Sequence, residues 1–436
     1  MGVNSKLVAV ILPLLALLMC YRLYLVSELL SPPGSWCRDI AQDHMAARAL
    51  DEGLYPYQPI SQLLKRYVGF NPGCSISDHP TPHTLQAITL MGLLPGLSLL
   101  ELSVWWLAAQ VGAILTLSWL LWRFYLCSNS TNLLLLICFS LSASFPGFSD
   151  LAYGNYSSIL TLLFGTVFLL EAGSLRAPCH LSKCCAVGVI LGLTLALKIS
   201  GWVFLAYFIV KGRWKVVAWC LATLIGTVTA VASYHSRWDL FAQFLEAGWQ
   251  TRTYYSHAYY NQSLWSLGSR IFGGLAPTSV GLGINAPAYI MLPQAIPAAN
   301  AFIGGSVVLL LMIVACRGSS FEHSFATLAL LASVADPLSW EHNLLFSFLA
   351  LLIIGKRVSL QKDPRHALLY MALCLAWFSA SPQVWSVSHG EDRAGLAAPL
   401  TGIVNAPVVF LGVVLLLRLR SSIMNASETS IRDTSP

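Results

Sequence analysis

The chain has 436 residues, of which 56% are hydrophobic and only 10% charged, with a mean hydropathy of +0.67. A water-facing globular surface draws on about 25% charged residues, so lipid must be the main solvent here. The net charge of +6 sits in short Lys/Arg clusters between apolar runs, which excludes a nucleic-acid-binding stripe and fits the positive-inside pattern of a multispanning protein.

The first apolar run, Leu7–Leu30, is too long for a signal h-region and no A-x-A site follows it, so an uncleaved first span is predicted. Further spans are predicted at Leu102–Leu121, Leu133–Phe148, Ser158–Gly173, Ala186–Leu197, Trp202–Val210 and Val216–Tyr234. The last five are Ala298–Ala315, Phe325–Ala335, Leu344–Ile354, Ala367–Ser379 and Ala397–Leu417, about twelve spans in all. Ala186–Leu197 and Trp202–Val210 are each too short to cross, and Lys198, Ser200 and Gly201 break the run between them. They read as a half-height pair with its tip at Lys198. The stretch His79–Leu97 is apolar but holds His83, Pro95 and Gly96, as in a re-entrant or interfacial helix. The expected class is an all-α polytopic membrane protein, one domain over residues 1–420 and a disordered tail over 421–436.

Lys6, Arg123, Arg176, Lys183, Lys211, Arg213, Lys215, Arg317, Lys356, Arg357, Lys362, Arg365, Arg418 and Arg420 all fall on one side if the two termini share it. The positive-inside rule makes that side cytoplasmic. The opposite side holds a long first loop, 31–101, a second loop, 235–297, and short turns near Asp150–Tyr156, Lys198 and Asp336–Asn343. The eleven cysteines show no zinc spacing and mostly fill apolar runs. Cys37 and Cys74 share the first loop and can pair if it faces an oxidising compartment.

The polar residues concentrate in the turns. Asp39 and Asp43 are four apart, hence on one face of a helix, with His44 beside them. A carboxylate there suits a general base, and equally a helix cap or a solvated loop acid. His79 and His83 are also four apart, but Pro80 and Pro82 forbid the regular helix that a metal pair needs. Asp336, Trp340, Glu341, His342 and Asn343 crowd the end of a span, as a ligand site or a hydrated loop with an interfacial Trp would. Trp249, Tyr254, Tyr255, Tyr259, Tyr260 and Trp265 interleave with Arg252, His257, Asn261, Gln262 and Arg270. Aromatic faces with planar polar groups suit sugars, and Arg or Lys suit phosphate. No Walker loop, Rossmann fingerprint, nucleophile elbow, metal-holding DxD pair or internal repeat is present in the sequence.

Six of these stretches together resemble glycosyltransferase family 87. They are Asp39 to Gly53 followed by Tyr55-Pro-Tyr57, His79-Pro-Thr-Pro, Gly154-Asn-Tyr, Gly188 to Ser200 with Ala-Leu-Lys198, Tyr260-Asn-Gln-Ser-Leu264, and Leu338-Ser-Trp-Glu-His-Asn343. They keep the family's order from about residue 36 to 345. His79 stands where an aromatic is usual, and Asn155 where Gln is usual. The resemblance implies a GT-C fold and an inverting transfer of a hexose, mannose above all, from a polyprenyl-phosphate donor to a lipid or glycan acceptor. It implies Asp39 as catalytic base with Lys198 and His342 in the pocket, on donor phosphate, where Arg252 and Arg270 are expected to join them by the affinity of Arg for phosphate. Asp43, His44, Tyr57, His79, His83, Asn155, Tyr260, Asn261, Gln262, Trp340 and Glu341 would then bind substrate. Phosphate is a good leaving group, so neither metal nor cofactor is expected, and no nucleic-acid partner. The implied location is a bacterial inner membrane with the site on the periplasmic side. The competing reading is a lipid-linked-sugar flippase, which has no need of a base at Asp39.

Overall fold

The computed structural model describes residues 5–69, 79–93, 97–175, 182–255, 261, 263–266, 293–318, 320–336, 339–361, 363–380 and 408–419. Among these residues there is no β-strand. The helices are α1 (Ser5–Glu28), α2 (Asp39–Asp51), α3 (Ile60–Tyr67), α4 (Leu85–Gly92), α5 (Leu99–Leu120) and α6 (Thr131–Ala143). There follow α7 (Phe145–Tyr153), α8 (Ser157–Glu171), α9 (Lys183–Leu197), α10 (Trp202–Val210), α11 (Trp214–Tyr234) and α12 (Leu240–Tyr255). The last are α13 (Ile296–Cys316), α14 (Phe321–Ala332), α15 (Ser347–Gln361), α16 (Pro364–Phe378) and α17 (Val408–Leu419).

Five of these segments are long and apolar enough to cross a bilayer: Val10–Glu28, Leu99–Tyr125, Trp214–Tyr234, Pro297–Cys316 and His342–Gln361. A sixth crossing results if α6 and α7 form one span, bent by 60°. The bend has a local cause. Pro146 lacks the amide needed to continue α6, and Ser144 ends it by accepting a hydrogen bond from Gly147 N at 3.2 Å. Ser157–Glu171, Lys183–Leu197, Ile199–Val210 and Val408–Leu419 are apolar but shorter than a full crossing. Among the described residues the expected spans thus divide into five or six long ones and a set of short helices, and residues 397–407 of the last expected span lie outside them. Leu17, Phe302 and Leu375 are exposed on the outside of the bundle, as lipid-facing side chains are.

The core lies where α8, α10 and α14 meet. Phe164 stacks on Phe204 at 4.7 Å and meets Phe346 edge-on at 5.2 Å, while Phe325 packs on Phe204 at 5.1 Å and on Phe168 at 4.9 Å. Every residue from His323 to Ala332 of α14 is buried, as expected of the central helix of a bundle. Against this core α9 and α10 form the predicted hairpin. Extended backbone at Lys198 stops α9, a 3₁₀ turn over Ile199–Gly201 follows, and α10 runs back. The His79–Leu97 expectation resolves into α4, capped by Thr84, which accepts from Ala87 N at 3.2 Å.

α9 packs on α11 through Gly188 and Gly192, one helical turn apart. A Cβ on Gly192 would lie 2.7 Å from the Cys220 carbonyl oxygen, and one on Gly188 would lie 2.6 Å from that of Val216. Only hydrogen fits at such a small-residue crossing. Gly192→Ala is expected to cost about 1–3 kcal/mol through overpacking. Gly112, with open space around its Cβ position, tolerates Ala. Thermal unfolding of both variants in detergent checks this: Gly192→Ala unfolds at a clearly lower temperature, and equal Tm values would refute the close approach.

Candidate active site

The site forms where the start of α2 docks on the end of α7. Arg38 is buried, and its Nε and Nη2 donate to the carbonyls of Ala152 and Leu151, each at 2.8 Å. A guanidinium suits the negative end of α7. Gly154 closes that helix at φ +68, and a Cβ on it would reach 3.0 Å from Ile40 Cγ2. This contact sets Asp39, at the head of α2, against Asn155.

The Asn155 amide joins the two charged groups of the site. Its Nδ2 donates to Asp39 Oδ2 at 2.7 Å, and its Oδ1 accepts from Lys198 Nζ at 3.3 Å and from Tyr156 N at 2.8 Å. Lys198 Nζ also donates to Asn343 Oδ1 at 3.0 Å, leaving one N–H for a ligand. Asp39 is half-buried and takes a further, longer bond from Gln42 Nε2 at 3.4 Å. Burial pushes its pKa above the usual carboxylate range, while His83, the Asn155 hydrogen bond and Lys198 pull it back.

Asp43 shares the face of α2 with Asp39, as the spacing predicts, yet its surroundings differ. It is fully buried and accepts from Tyr156 OH at 2.7 Å, from Thr81 Oγ1 at 3.0 Å and from His83 Nδ1 at 2.8 Å. Its two oxygens accept three donors at 3.0 Å or less, whereas Asp39 has one short bond, from Asn155, and one long one, from Gln42. Thr84 then ties the His83 segment to the hairpin tip, donating to Ala196 O at 2.5 Å and to Leu197 O at 3.2 Å. Beneath the site, Gln110 donates to Asp150 O and Asn155 O, both at 2.8 Å, and Asp150 caps α8 by accepting from Ser157 N at 2.8 Å and Ser158 N at 3.0 Å.

His342 is 3% exposed, and neither ring nitrogen has a hydrogen-bond partner among the described residues. Such a group costs about 1–3 kcal/mol when left unmet. On the same side, Asp336 accepts from Ser200 Oγ, and its backbone oxygen accepts from Ser263 Oγ. Its Oδ1 has no partner among the described residues.

The other expected residues divide as follows. Tyr57 is buried, and its OH donates to His83 O at 3.4 Å. His79 is buried with Nδ1 2.8 Å from Pro80 O, and Ile60 N donates to its carbonyl at 3.0 Å. His44 is half-buried on α2, where burial and Arg48 lower its pKa. Asn261 Oδ1 accepts from Ser263 N and Ser339 N, each at 3.1 Å, so it ties two loops. Trp340 is half-buried. Arg252 lies on α12 and Glu341 in a 3₁₀ turn over Glu341–Leu345, with their side chains outside the described residues. Tyr260, Gln262 and Arg270 lie outside them altogether, as do residues 421–436. Cys37 is disulfide-bonded, and Cys74 lies outside the described residues. Among the described residues, no three His, Cys, Asp or Glu side chains group as a metal site.

Asn343 belongs to the crowded turn that the sequence marked, whereas Tyr156, Thr81, Gln110 and Asp150 were not singled out as site groups. Tyr156 and Thr81 lie inside the recognised stretches. Gln110 and Asp150 carry their own signal, being polar groups in apolar runs.

The Asp43–His83 pair makes stability pH-dependent. Burial alone lowers the His83 pKa, but the charge and hydrogen bond of Asp43 raise it overall above 6.5. The paired imidazolium therefore stabilises fully below pH 6.5, and that contribution is lost as pH rises through the folded pKa. Tm should fall across this window in wild type and fall less in His83→Gln; parallel curves would remove the pair from the account. Asp43→Ala, which leaves the buried imidazole facing no acceptor, should cost about 3–5 kcal/mol, read as lost folded yield or a large drop in Tm.

Comparison with protein families matches residues 81–337, more than half of the chain, to Glycosyltransferase family 87. The match takes in His83, Asn155, Lys198 and Asn261, with Asp39 and His342 flanking it. No curated protein and no solved structure matches the chain. The chain belongs to glycosyltransferase family 87, a family of GT-C-type membrane glycosyltransferases.

Proposed function

We propose that this membrane glycosyltransferase moves a hexose, mannose first among the candidates, from a polyprenyl-phosphate donor to a lipid or glycan acceptor, with Asp39 as general base. The observation that carries this reading is the Asp39–Asn155–Lys198 arrangement, in which one amide holds a partly open carboxylate on its nitrogen side and an ammonium on its oxygen side. An inverting transfer needs this pair of charges: one group to take a proton, another to receive a leaving anion.

In the proposed step, the acceptor hydroxyl oxygen attacks the anomeric carbon and gives its proton to an Asp39 oxygen. The bond from that carbon to the phosphate oxygen breaks on the opposite face, with inversion. Polyprenyl phosphate leaves, its new charge met by the free N–H of Lys198 and by one ring N–H of His342. His342 has no competing partner among the described residues, so it suits a ligand oxygen. Arg252 and Arg270 are further candidates for the phosphate. Asp43 holds α2 in place rather than touching substrate, since its oxygens already accept three donors.

The side is proposed from charge. Lys183, Lys211 and Arg213 lie at the ends of helices whose other ends reach the site. By the positive-inside rule those basic ends are cytoplasmic and the site periplasmic, as in a bacterial inner membrane. A lipid-phosphate donor suits that face, where nucleotide sugars are absent.

Transfer of radiolabelled mannose from polyprenyl-phosphate mannose to membrane lipids, by purified enzyme, tests the reading. Asp39→Asn should remain folded and lose activity by about 10²–10⁴-fold or more. Near-normal transfer by Asp39→Asn would sink the base assignment, and no transfer by wild type, with lipid movement intact in both proteins, would favour the flippase. In wild type, kcat/KM should rise with pH through the raised Asp39 pKa. Transfer should also survive EDTA; loss restored by Mn²⁺ or Mg²⁺ would bring a metal into the step.

A further inference from the structure

Helices α8, α9, α10 and α14 each have one end near the Asp39–Lys198 cluster, and their other ends line a half-open cavity of about 530 Å³. At 15 residues, α8 alone separates the two by about 22 Å. The cavity is lined by Lys183, Lys211 and Arg213, by Glu171, by the hydroxyls of Ser320 and Ser324, and by Tyr207, Phe208 and Phe321. Three cations face a single carboxylate. The Glu171 side chain is 4% exposed, with Arg213 Nη2 at 2.9 Å and Lys183 Nζ at 3.7 Å. Lys183 Nζ otherwise donates to Glu171 O at 3.0 Å, and Lys211 Nζ to Cys316 O at 2.7 Å. Each ammonium keeps N–H groups in hand, and the pocket keeps two positive charges in excess.

Two further features point to the occupant. The 12-residue helix α14 starts at the cavity, so its positive end adds to the field there. Beside the cavity, Val210 is 65% and Trp214 63% exposed, an apolar surface on the lipid side of the same helix ends. Positive-inside insertion accounts for basic residues at these ends, but not for their convergence on a cavity of ligand size with hydroxyl donors.

We propose that this cavity binds the phosphate of an anionic phospholipid headgroup, with Lys183 and Lys211 on the phosphate and the acyl chains lying along Val210 and Trp214. Basic pockets between helices take anionic headgroups in this manner. The Arg213–Glu171 ion pair forms the inner wall and anchors the cations around it. Such a lipid would brace the α9–α10 hairpin from its base, opposite the tip that carries Lys198.

The test is Tm of the purified protein in phosphatidylcholine nanodiscs, with and without phosphatidylglycerol. Wild type should gain on the order of 5 °C when the anionic lipid is well above its Kd. Lys183→Gln/Lys211→Gln should lose that gain while matching wild type in phosphatidylcholine alone. Should the double variant fold poorly, Lys211→Gln alone, at an exposed helix end, should lose most of it. Arg123→Gln, the same charge change away from the cavity, should keep the gain. No gain in wild type, a gain retained in both Lys variants, or equal loss in Arg123→Gln overturns the proposal. A gain given equally by sn-glycerol 3-phosphate keeps a phosphate site and overturns the lipid as its source.

Discussion

The fully buried Asp43 carboxylate joins three stretches of chain that are remote in sequence. From α2 it accepts hydrogen bonds from Tyr156 at the head of α8, and from Thr81 and His83 ahead of α4. A buried carboxylate without partners costs several kcal/mol, so α2 can dock only when both other segments have arrived. That docking places Asp39 one turn away, against Asn155. The fully buried acid and the half-buried one are therefore set by one helix, and they differ in burial and in the number of their partners.

The bundle is built with two unlike ends. Short apolar helices α8, α9, α10 and α14 run between a cluster of amides, hydroxyls and carboxylates and a cluster of cations. Phe164, Phe168, Phe204 and Phe325 fill the space between. An aromatic core of this density transmits position rather than absorbing it. The tip of the α9–α10 hairpin, where Lys198 reaches Asn155 and Asn343, is consequently fixed by packing well below it.

Much of this was readable from residue order. The break at Lys198 follows from two apolar runs too short to cross and from the polar residues between them, and the hairpin has its tip there. The i, i+4 spacing placed Asp39 and Asp43 on one face, and both meet the 155–156 pair. The number of crossings was less readable, because an apolar run is equally consistent with a span, half a span or a buried core helix such as α14. Asp150 and Gln110 were passed over because a lone polar residue in an apolar run carries no sign of its partner, and theirs lie 40 residues apart.

The sequence by itself determined that the chain lives in lipid, which ends of its helices are basic, and which turns hold the polar residues, because hydropathy and charge are local properties of composition. The family, too, was legible from short motifs in order. Only the tertiary structure showed how unlike the surroundings of Asp39 and Asp43 are. Residue type cannot tell a carboxylate saturated by Tyr156, Thr81 and His83 from one held by Asn155 and partly open. It likewise decided that Lys183, Lys211 and Arg213 share one cavity. Convergence of distant residues is a consequence of packing, and packing is set by the whole core at once.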